Sequence, residues 1–239
     1  MTSQITEALE HLAVPEKAAF YPRFFKAGPG EYAEGDQFIG VTVPDQRRIA
    51  KEFWNKISLA ELESLLSSPI HEHRHTALLI LVAKFEKSKN REEKAQIVDF
   101  YLNHKKFINN WDLVDNSCYK ILGRYAFENG REDLLRILAA EDNLWSNRIA
   151  IVSTMYFVKK KRFELLKEIV LKNLSHKHDL MHKANGWLLR EMGQQDENEL
   201  MTFLKTHYKT MPRTTLRYAI EKLTPAVREN FLKGRINLL

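Results

Sequence analysis

Four short segments decide the fold of this chain. Each places a basic residue second, directly before a run of mainly apolar residues, and they are HRHTALLIL at 73–81, NRIAIVSTM at 147–155, HKANGWLLR at 182–190 and LRYAIEKL at 216–223. The basic residues are Arg74, Arg148, Lys183 and Arg217. The first two lie 74 positions apart, which is two steps of 37, and the later steps are 35 and 34. Such a period is typical of stacked pairs of antiparallel helices.

The repeat predicts an all-α fold. We expect an α-solenoid of HEAT- or armadillo-like helix pairs that occupies residues 1–239 as one domain. The chain has only 9 Gly and 7 Pro, which is few for a protein rich in β-turns. One basic residue near a helix end is ordinary solvated surface. Four at equivalent positions favour a concave basic groove that suits a phosphate backbone.

Local signals predict where helices begin and end. Pro44 stands at a favoured first position, Ser58 and Glu61 form a capping box, and Thr224 before Pro225 marks another start. We expect about ten helices. Their predicted connections are SSPI at 67–70, KSKN at 87–90, FENGRED at 127–133 and EDN at 141–143.

Composition limits the class of protein. The net charge is +6 and the sequence pI is about 9.2, which permits attraction to a polyanion such as nucleic acid. The longest apolar run, at 77–83, is far shorter than the ~20 residues that span a bilayer. Cys118 is the only cysteine, which excludes an intrachain disulfide and a cysteine-based zinc site. We expect a cytosolic monomer with no membrane association.

The segment NNWDLVDNSCYKILGRYAF at 109–127 carries the strongest candidate for chemistry. Asn109 or Asn110 can cap a helix there, and Trp111 and Asp115 are four positions apart, so both would lie on one helix face. Trp111 also continues an apolar stripe, as Trp187 does further along the chain. From spacing alone, a position in the buried core is the better interpretation of both indoles, and a site is the alternative.

Three segments of the chain, which overlap those above, carry a resemblance to a known family. NNWDLVDN at 109–116, NLWSNRIAI at 143–151 and ANGWLLRE at 184–191 resemble the characteristic segments of the AlkD-type DNA alkylation repair family, the HEAT-like repeat alkylpurine DNA glycosylases. FIGVTVPDQRRIAK at 38–51 is similar to the N-terminal segment of that family. The similarity extends in consistent order from about residue 20 to 223.

The resemblance implies a function and a set of residues. It implies a DNA glycosylase that holds duplex DNA in a basic groove and excises cationic purines such as N3-methyladenine and N7-methylguanine, without a base-flipping pocket and without a cofactor. It implies that Trp111, Asp115 and Trp187 surround the deoxyribose of the lesion and that Arg148 contacts the backbone. The alternatives are a non-catalytic module for damaged or branched DNA and a scaffold that binds a protein.

The segment AGPGEYAEGDQ at 27–37 departs from the family pattern. It is a Gly-rich loop with three acidic residues, where the compared glycosylase has a shorter connection, and the acids would repel phosphate. The family brings an aromatic residue to the lesion from this region. Four residues here could supply it: Tyr21, Phe24, Phe25 and Tyr32.

Two further clusters have competing interpretations. The histidines of HEHRH at 71–75 and those at 176, 178 and 182 suggest a metal site, but no third ligand has convincing spacing, so we predict none. Lys159 and Lys160 belong to a basic run at 159–162 that is either a solvated turn or a further contact with DNA.

Overall fold

The computed structural model describes residues 1–235, which form two compact units. The first unit is Met1–Ile121, and the second begins at Leu122. Within the described residues there is no β-strand, and one isolated parallel bridge joins Gln37 to Ile70. The prediction of an all-α fold is therefore confirmed. The repeat period and the single-domain organisation remain predictions.

The helices of the first unit pack around α5. They are α1 (Thr2–Glu10), α2 (Pro15–Phe25), α3 (Val43–Phe53), α4 (Leu59–Leu66), α5 (His71–Lys87), α6 (Arg91–Asn103) and α7 (Trp111–Cys118). α5 contacts α3, α4, α6 and α7. Its residues His71–Val82 are all buried, so even the polar first turn of this helix lies in the interior.

The structure describes nine α-helices in the second unit. They are α8 (Arg124–Asn129), α9 (Glu132–Leu138), α10 (Leu144–Ser153), α11 (Met155–Val158), α12 (Glu164–Lys172), α13 (Asp179–Gln195), α14 (Glu197–His207), α15 (Arg213–Ala219) and α16 (Pro225–Lys233). Gly186 allows α13 and α15 to approach closely, because a Cβ there would lie 2.5 Å from the carbonyl oxygen of Thr215.

Helix starts follow the predicted caps. The side chain of Ser58 accepts from the Glu61 N–H in a complete capping box, Asn110 caps α7, and α16 begins at Pro225. α3 begins one residue earlier than predicted, because Thr42 is its cap. The described residues form sixteen α-helices rather than the expected ten. A π-helical turn at Tyr119–Gly123 and a break at Thr154 divide two long helical stretches and account for two of the additional helices.

α5 and α13 are the longest helices, with 17 residues each. Across residues 1–235, no helix combines the length and the apolar character that are needed to cross a membrane.

Candidate functional site

α7 carries a partly exposed indole and a partly exposed carboxylate on one face. Trp111 and Asp115 are one helical turn apart, and both are half-buried. Leu113, Val114 and Cys118 of the same helix are fully buried. The apolar stripe of α7 therefore provides the core contact, and the indole and the carboxylate stand at its edge.

Two aromatic residues of α2 hold the indole of Trp111. The ring of Phe25 stacks on it, with centroids 5.7 Å apart and an interplanar angle of 25°, and Phe24 makes an edge contact at 5.9 Å. Phe25 is buried, whereas Phe24 is 50% exposed and also contacts the exposed Phe20. Of the four aromatics that the sequence left open, Phe24 is the one that joins Trp111 and keeps a large exposed surface.

The Gly-rich loop is anchored to the start of α5. The carboxylate of Glu72 accepts from the N–H groups of Ile39 and Gly40, at 3.2 and 2.8 Å. Gly40 has a φ of +84°, and a Cβ there would lie 2.1 Å from the carbonyl oxygen of Val14, so only glycine fits. The backbone of Gln37 also bonds to both ends of the turn before α5, through Pro69 and His71.

The acids of this loop are largely used within it. Glu31 accepts from the Gly28 N–H and Glu34 from the Gly30 N–H. Asp36 is directed inward, and its side chain is only 5% exposed. The expected repulsion of phosphate by three acids therefore does not apply to Asp36.

A buried ionic cluster lies beneath the aromatic residues. His71 Nδ1 is 3.1 Å from an Asp36 carboxylate oxygen, and His71 Nε2 is 2.8 Å from Asp112 Oδ2. Arg74 donates to the same oxygen of Asp36 at 2.7 Å and to the side chain of Asn109 at 3.2 Å. The cluster joins the Gly-rich loop, α5 and the first turn of α7.

Electrostatics keep His71 protonated within this cluster. Burial opposes its charged form, but the charge of Asp112 and hydrogen bonds to Asp112 and Asp36 raise the pKa of His71 to about 9. Burial would raise the pKa of Asp112, yet His71 lowers it overall. Both ring nitrogens of His71 therefore donate to carboxylates at neutral pH.

The other histidines of this motif have different partners. Burial lowers the pKa of His75 to about 4, so it is neutral and donates from Nδ1 to the Gln46 side-chain oxygen at 2.6 Å. His73 Nδ1 lies 3.0 Å from the Ser68 hydroxyl. Among the residues that the structure describes, no three His, Cys, Asp or Glu side chains are grouped to hold a metal ion.

Arg74 corrects the sequence interpretation. It was expected to face a groove, but its side chain is 4% exposed and its guanidinium binds Asp36, Asn109 and two backbone carbonyls. A cation buried among these partners has no surface to offer a phosphate. Its partner Asp36 is 38 positions away, so the spacing of basic residues could not reveal the pair.

The other three basic residues of the repeat, all in the second unit, have unequal environments. Arg148 is buried and donates from Nη1 to the Leu180 carbonyl at 2.7 Å. Lys183 is half-buried and pairs with Asp179 at 2.8 Å, one turn earlier on α13. Arg217 is exposed at the end of α15. The repeat predicts equivalent environments for these positions, but the structure gives them different ones.

Trp187 and the basic run also lie in the second unit. The indole of Trp187 is half-buried and donates from Nε1 to a Glu191 carboxylate oxygen at 3.1 Å. Lys159 and Lys160 are exposed in the turn after α11, where Lys160 lies over the ring of Tyr156.

A cationic groove in the first unit was missed in the sequence. It has a volume of about 250 Å³ and lies between α3, α5 and the turn after α7. Its charged lining consists of four basic residues and one acid, namely Arg47, Lys51, Lys87, Lys120 and Glu86, and Trp54 adds an indole. The i,i+4 spacing of the first two basic residues on α3 was a usable signal.

The groove is connected to α7 by hydrogen bonds. Arg47 donates from Nη2 to the Asn116 side-chain oxygen at 3.0 Å, and Asn116 donates to the Asp112 carbonyl at 2.9 Å. Asn116 directly follows Asp115 in the chain, so the cationic lining begins next to the residue that carries the carboxylate.

Comparisons with known proteins identify one family and one solved structure with a shared fold. A sequence model described as DNA alkylation repair enzyme matches residues 5–223. A solved structure, described as a predicted DNA alkylation repair enzyme from Enterococcus faecalis, has a TM-score of 0.71 with 18% sequence identity. The match covers 89% of this chain and 97% of that chain, and at this identity it demonstrates a shared fold. No curated protein matches the chain significantly.

Proposed function

Because the chain belongs to the DNA alkylation repair enzyme family, we propose that it is a DNA glycosylase that removes positively charged alkylated purines, such as N3-methyladenine and N7-methylguanine, from duplex DNA. The observation that carries this proposal is the pair on α7. Trp111 and Asp115 share a face of the helix, and both remain partly exposed while Asp112, Leu113, Val114, Ser117 and Cys118 of α7 are buried.

The charge of the substrate determines what the protein must supply. A purine alkylated at N3 or N7 is cationic and leaves as a neutral base, so its departure needs little acid assistance. The deoxyribose becomes oxocarbenium-like as the bond between C1′ and the base nitrogen lengthens. A carboxylate beside the sugar stabilises this positive charge. We assign that role to Asp115.

The reaction balances with water alone. The purine departs with the electron pair of the broken bond, and a water oxygen forms a new bond to C1′. Asp115 orients this water and accepts its proton, which then passes to solvent. The products are a neutral free base and an abasic site.

The indole of Trp111 supports the same transition state. The face of an indole carries negative electrostatic potential and attracts a developing cation by about 0.5–2 kcal/mol. Its contacts with Phe24 and Phe25 restrict its motion, so this orientation is largely set before substrate binds. We propose that exposed Phe24 is the aromatic residue of the N-terminal region that approaches the lesion.

For the second unit, we retain the assignments that the resemblance implies. Trp187 is proposed to contact the sugar of the lesion, and Arg148 a nearby phosphate. Lys183, Arg217, Lys159 and Lys160 are proposed as further backbone contacts. Arg148 would need to extend from its buried position to reach a phosphate, since it now bonds to the Leu180 carbonyl.

Release of bases from methylated DNA tests the activity. Purified protein is incubated with methylated duplex DNA, the freed bases are separated by chromatography, and binding is titrated in parallel. We expect release of N3-methyladenine or N7-methylguanine. We expect Asp115→Asn to bind normally and lose about 100–1,000-fold in single-turnover rate. Tight binding without release would instead indicate the non-catalytic DNA-binding module.

We further propose that the cationic groove holds backbone phosphates beside the lesion. Each phosphate contact contributes about 0.9 to the slope of log K against log salt on duplex DNA. Arg47→Gln and Lys51→Gln should each lower that slope by about 0.9. Lys172→Gln, an exposed change on α12, is the matched control and should leave the slope unchanged. If Arg47→Gln and Lys51→Gln both keep the slope of the unsubstituted protein, the groove is excluded from DNA binding.

A further inference from the structure

The polar cluster around His71 has a property that core packing alone does not require. It contains two carboxylates, Asp36 and Asp112, and two cations, His71 and Arg74, so its formal charge balances within the interior. Each carboxylate comes from a different segment. Asp36 belongs to the Gly-rich loop, and Asp112 belongs to the first turn of α7, next to Trp111.

A continuous set of ring contacts leads from this cluster to Trp111. The ring of Phe25 lies 4.7 Å from that of His71 on one side and 5.7 Å from the indole of Trp111 on the other. Phe38 stacks on both Phe25, at 5.3 Å, and His71, at 5.1 Å. His71 therefore reaches Trp111 by two routes, through Phe25 and through Asp112.

We propose that His71 is a positioning residue, which bridges Asp36 and Asp112 and thereby fixes the indole of Trp111 and the first turn of α7 in the orientation that acts on DNA. Only an imidazolium can donate to both carboxylates at once, because a neutral imidazole has a single N–H. Loss of that proton leaves Asp112 as a buried carboxylate without its cation. The first turn of α7 must then shift to let solvent reach it.

Among the groups around His71, the protonation state that changes in mildly alkaline solution is that of His71 itself. From α5 it faces the guanidinium of Arg74 and His75, which is already neutral. From the loop and α7 it faces Asp36 and Asp112, and the pKa of Asp112 is lowered. Tyr21 of α2 contacts Phe25, and burial raises its pKa above 10.

Fluorine NMR of protein labelled with 5-fluorotryptophan tests this role without relying on catalysis. The chain has four tryptophans, so the Trp111 signal is assigned with Trp111→Phe. We expect this signal to be constant at neutral pH and to move with a midpoint near the pKa of His71, about 9. In His71→Gln it should already be displaced at neutral pH and show no such transition.

Charge-matched rescue separates positioning from packing. Adding Asp112→Asn to His71→Gln removes the unpaired carboxylate, so the Trp111 signal should return toward that of the unsubstituted protein. His73→Gln, a change at a buried neutral histidine that bonds to Ser68, is the matched control and should leave the signal in place. A signal that His71→Gln leaves unchanged, or that the second substitution does not restore, overturns the proposal.

The proposal rests on the proposed glycosylase for its meaning, but its test is independent. If excision occurs, His71→Gln should lower the single-turnover rate by up to about 100-fold, because misplacement by about 1 Å has that effect, with little change in DNA affinity. If no base is released while the Trp111 signal follows His71, the glycosylase assignment fails and the positioning role stands. If His71→Gln does not fold, the pH titration of the unsubstituted protein decides, and the absence of a transition near pH 9 refutes the proposal.

Discussion

Because His71 is a buried imidazolium, the first unit should lose stability as the solution becomes alkaline. Its pKa is raised from 6.5 to about 9 in the folded protein, so this group stabilises fully below pH 6.5 and loses its contribution as pH rises through about 9. A rise of roughly 2.5 units, at 1.36 kcal/mol per unit, corresponds to about 3 kcal/mol. We therefore expect the contribution of His71 to the free energy of unfolding to fall by about 3 kcal/mol between pH 6.5 and 9.

Urea unfolding followed by circular dichroism measures this change, with His71→Gln as the reference. The histidines with lowered pKa values, His73, His75, His176 and His178, are present in both proteins, so the difference between the two unfolding curves isolates His71. The variant should be less stable by about 3 kcal/mol at pH 6.5 and should converge with the unsubstituted protein near pH 9. Parallel curves with a constant difference would refute a charged His71.

Two further substitutions test other parts of the first unit. Arg74→Met should lower the free energy of unfolding by about 3–5 kcal/mol, because it leaves buried Asp36 without its guanidinium, while the salt dependence of DNA binding stays unchanged. A stable Arg74→Met protein with weaker DNA binding would restore Arg74 as a phosphate ligand. Gly40→Ala should cost at least about 2 kcal/mol in thermal or urea unfolding, since its Cβ would meet the Val14 carbonyl at 2.1 Å. Gly130 also has a positive φ, +66°, but a Cβ there would meet no atom within 4 Å. An equal loss of stability in Gly130→Ala would therefore show that the backbone conformation, rather than the contact, is responsible.

The sequence was sufficient for features that depend on nearby residues. Helix caps such as Ser58 with Glu61 act within one turn, so pattern alone located the starts of α4, α7 and α16, and that of α3 to within one residue. The pairing of Trp111 and Asp115 on one face follows in the same way from the spacing of four. These features depend only on residues within one or two helical turns of each other.

Features that depend on distant partners could not be predicted. The sequence offered HEHRH only as a possible metal site, yet all five residues are buried, and Asp36, Asp112, Gln46 and loop amides supply partners for them. The same applies to Phe24, which is singled out among four aromatics only by combining a contact with Trp111 and a large exposed surface. The repeat alignment treated Arg74 and Arg217 as equivalent, but one is enclosed and the other is exposed.

The balanced charges beneath Trp111 restrict how this sequence can diverge. Replacing one acid or one cation leaves an odd integer charge in the interior, whereas exchanging an acid and its cation together leaves none. Amino-acid replacements at these sites should therefore accumulate in compensated pairs, in which Asp36 changes together with Arg74 and Asp112 together with His71. A lineage that carries only half of such an exchange would bear an unstable repair protein, even with every DNA-facing side chain intact.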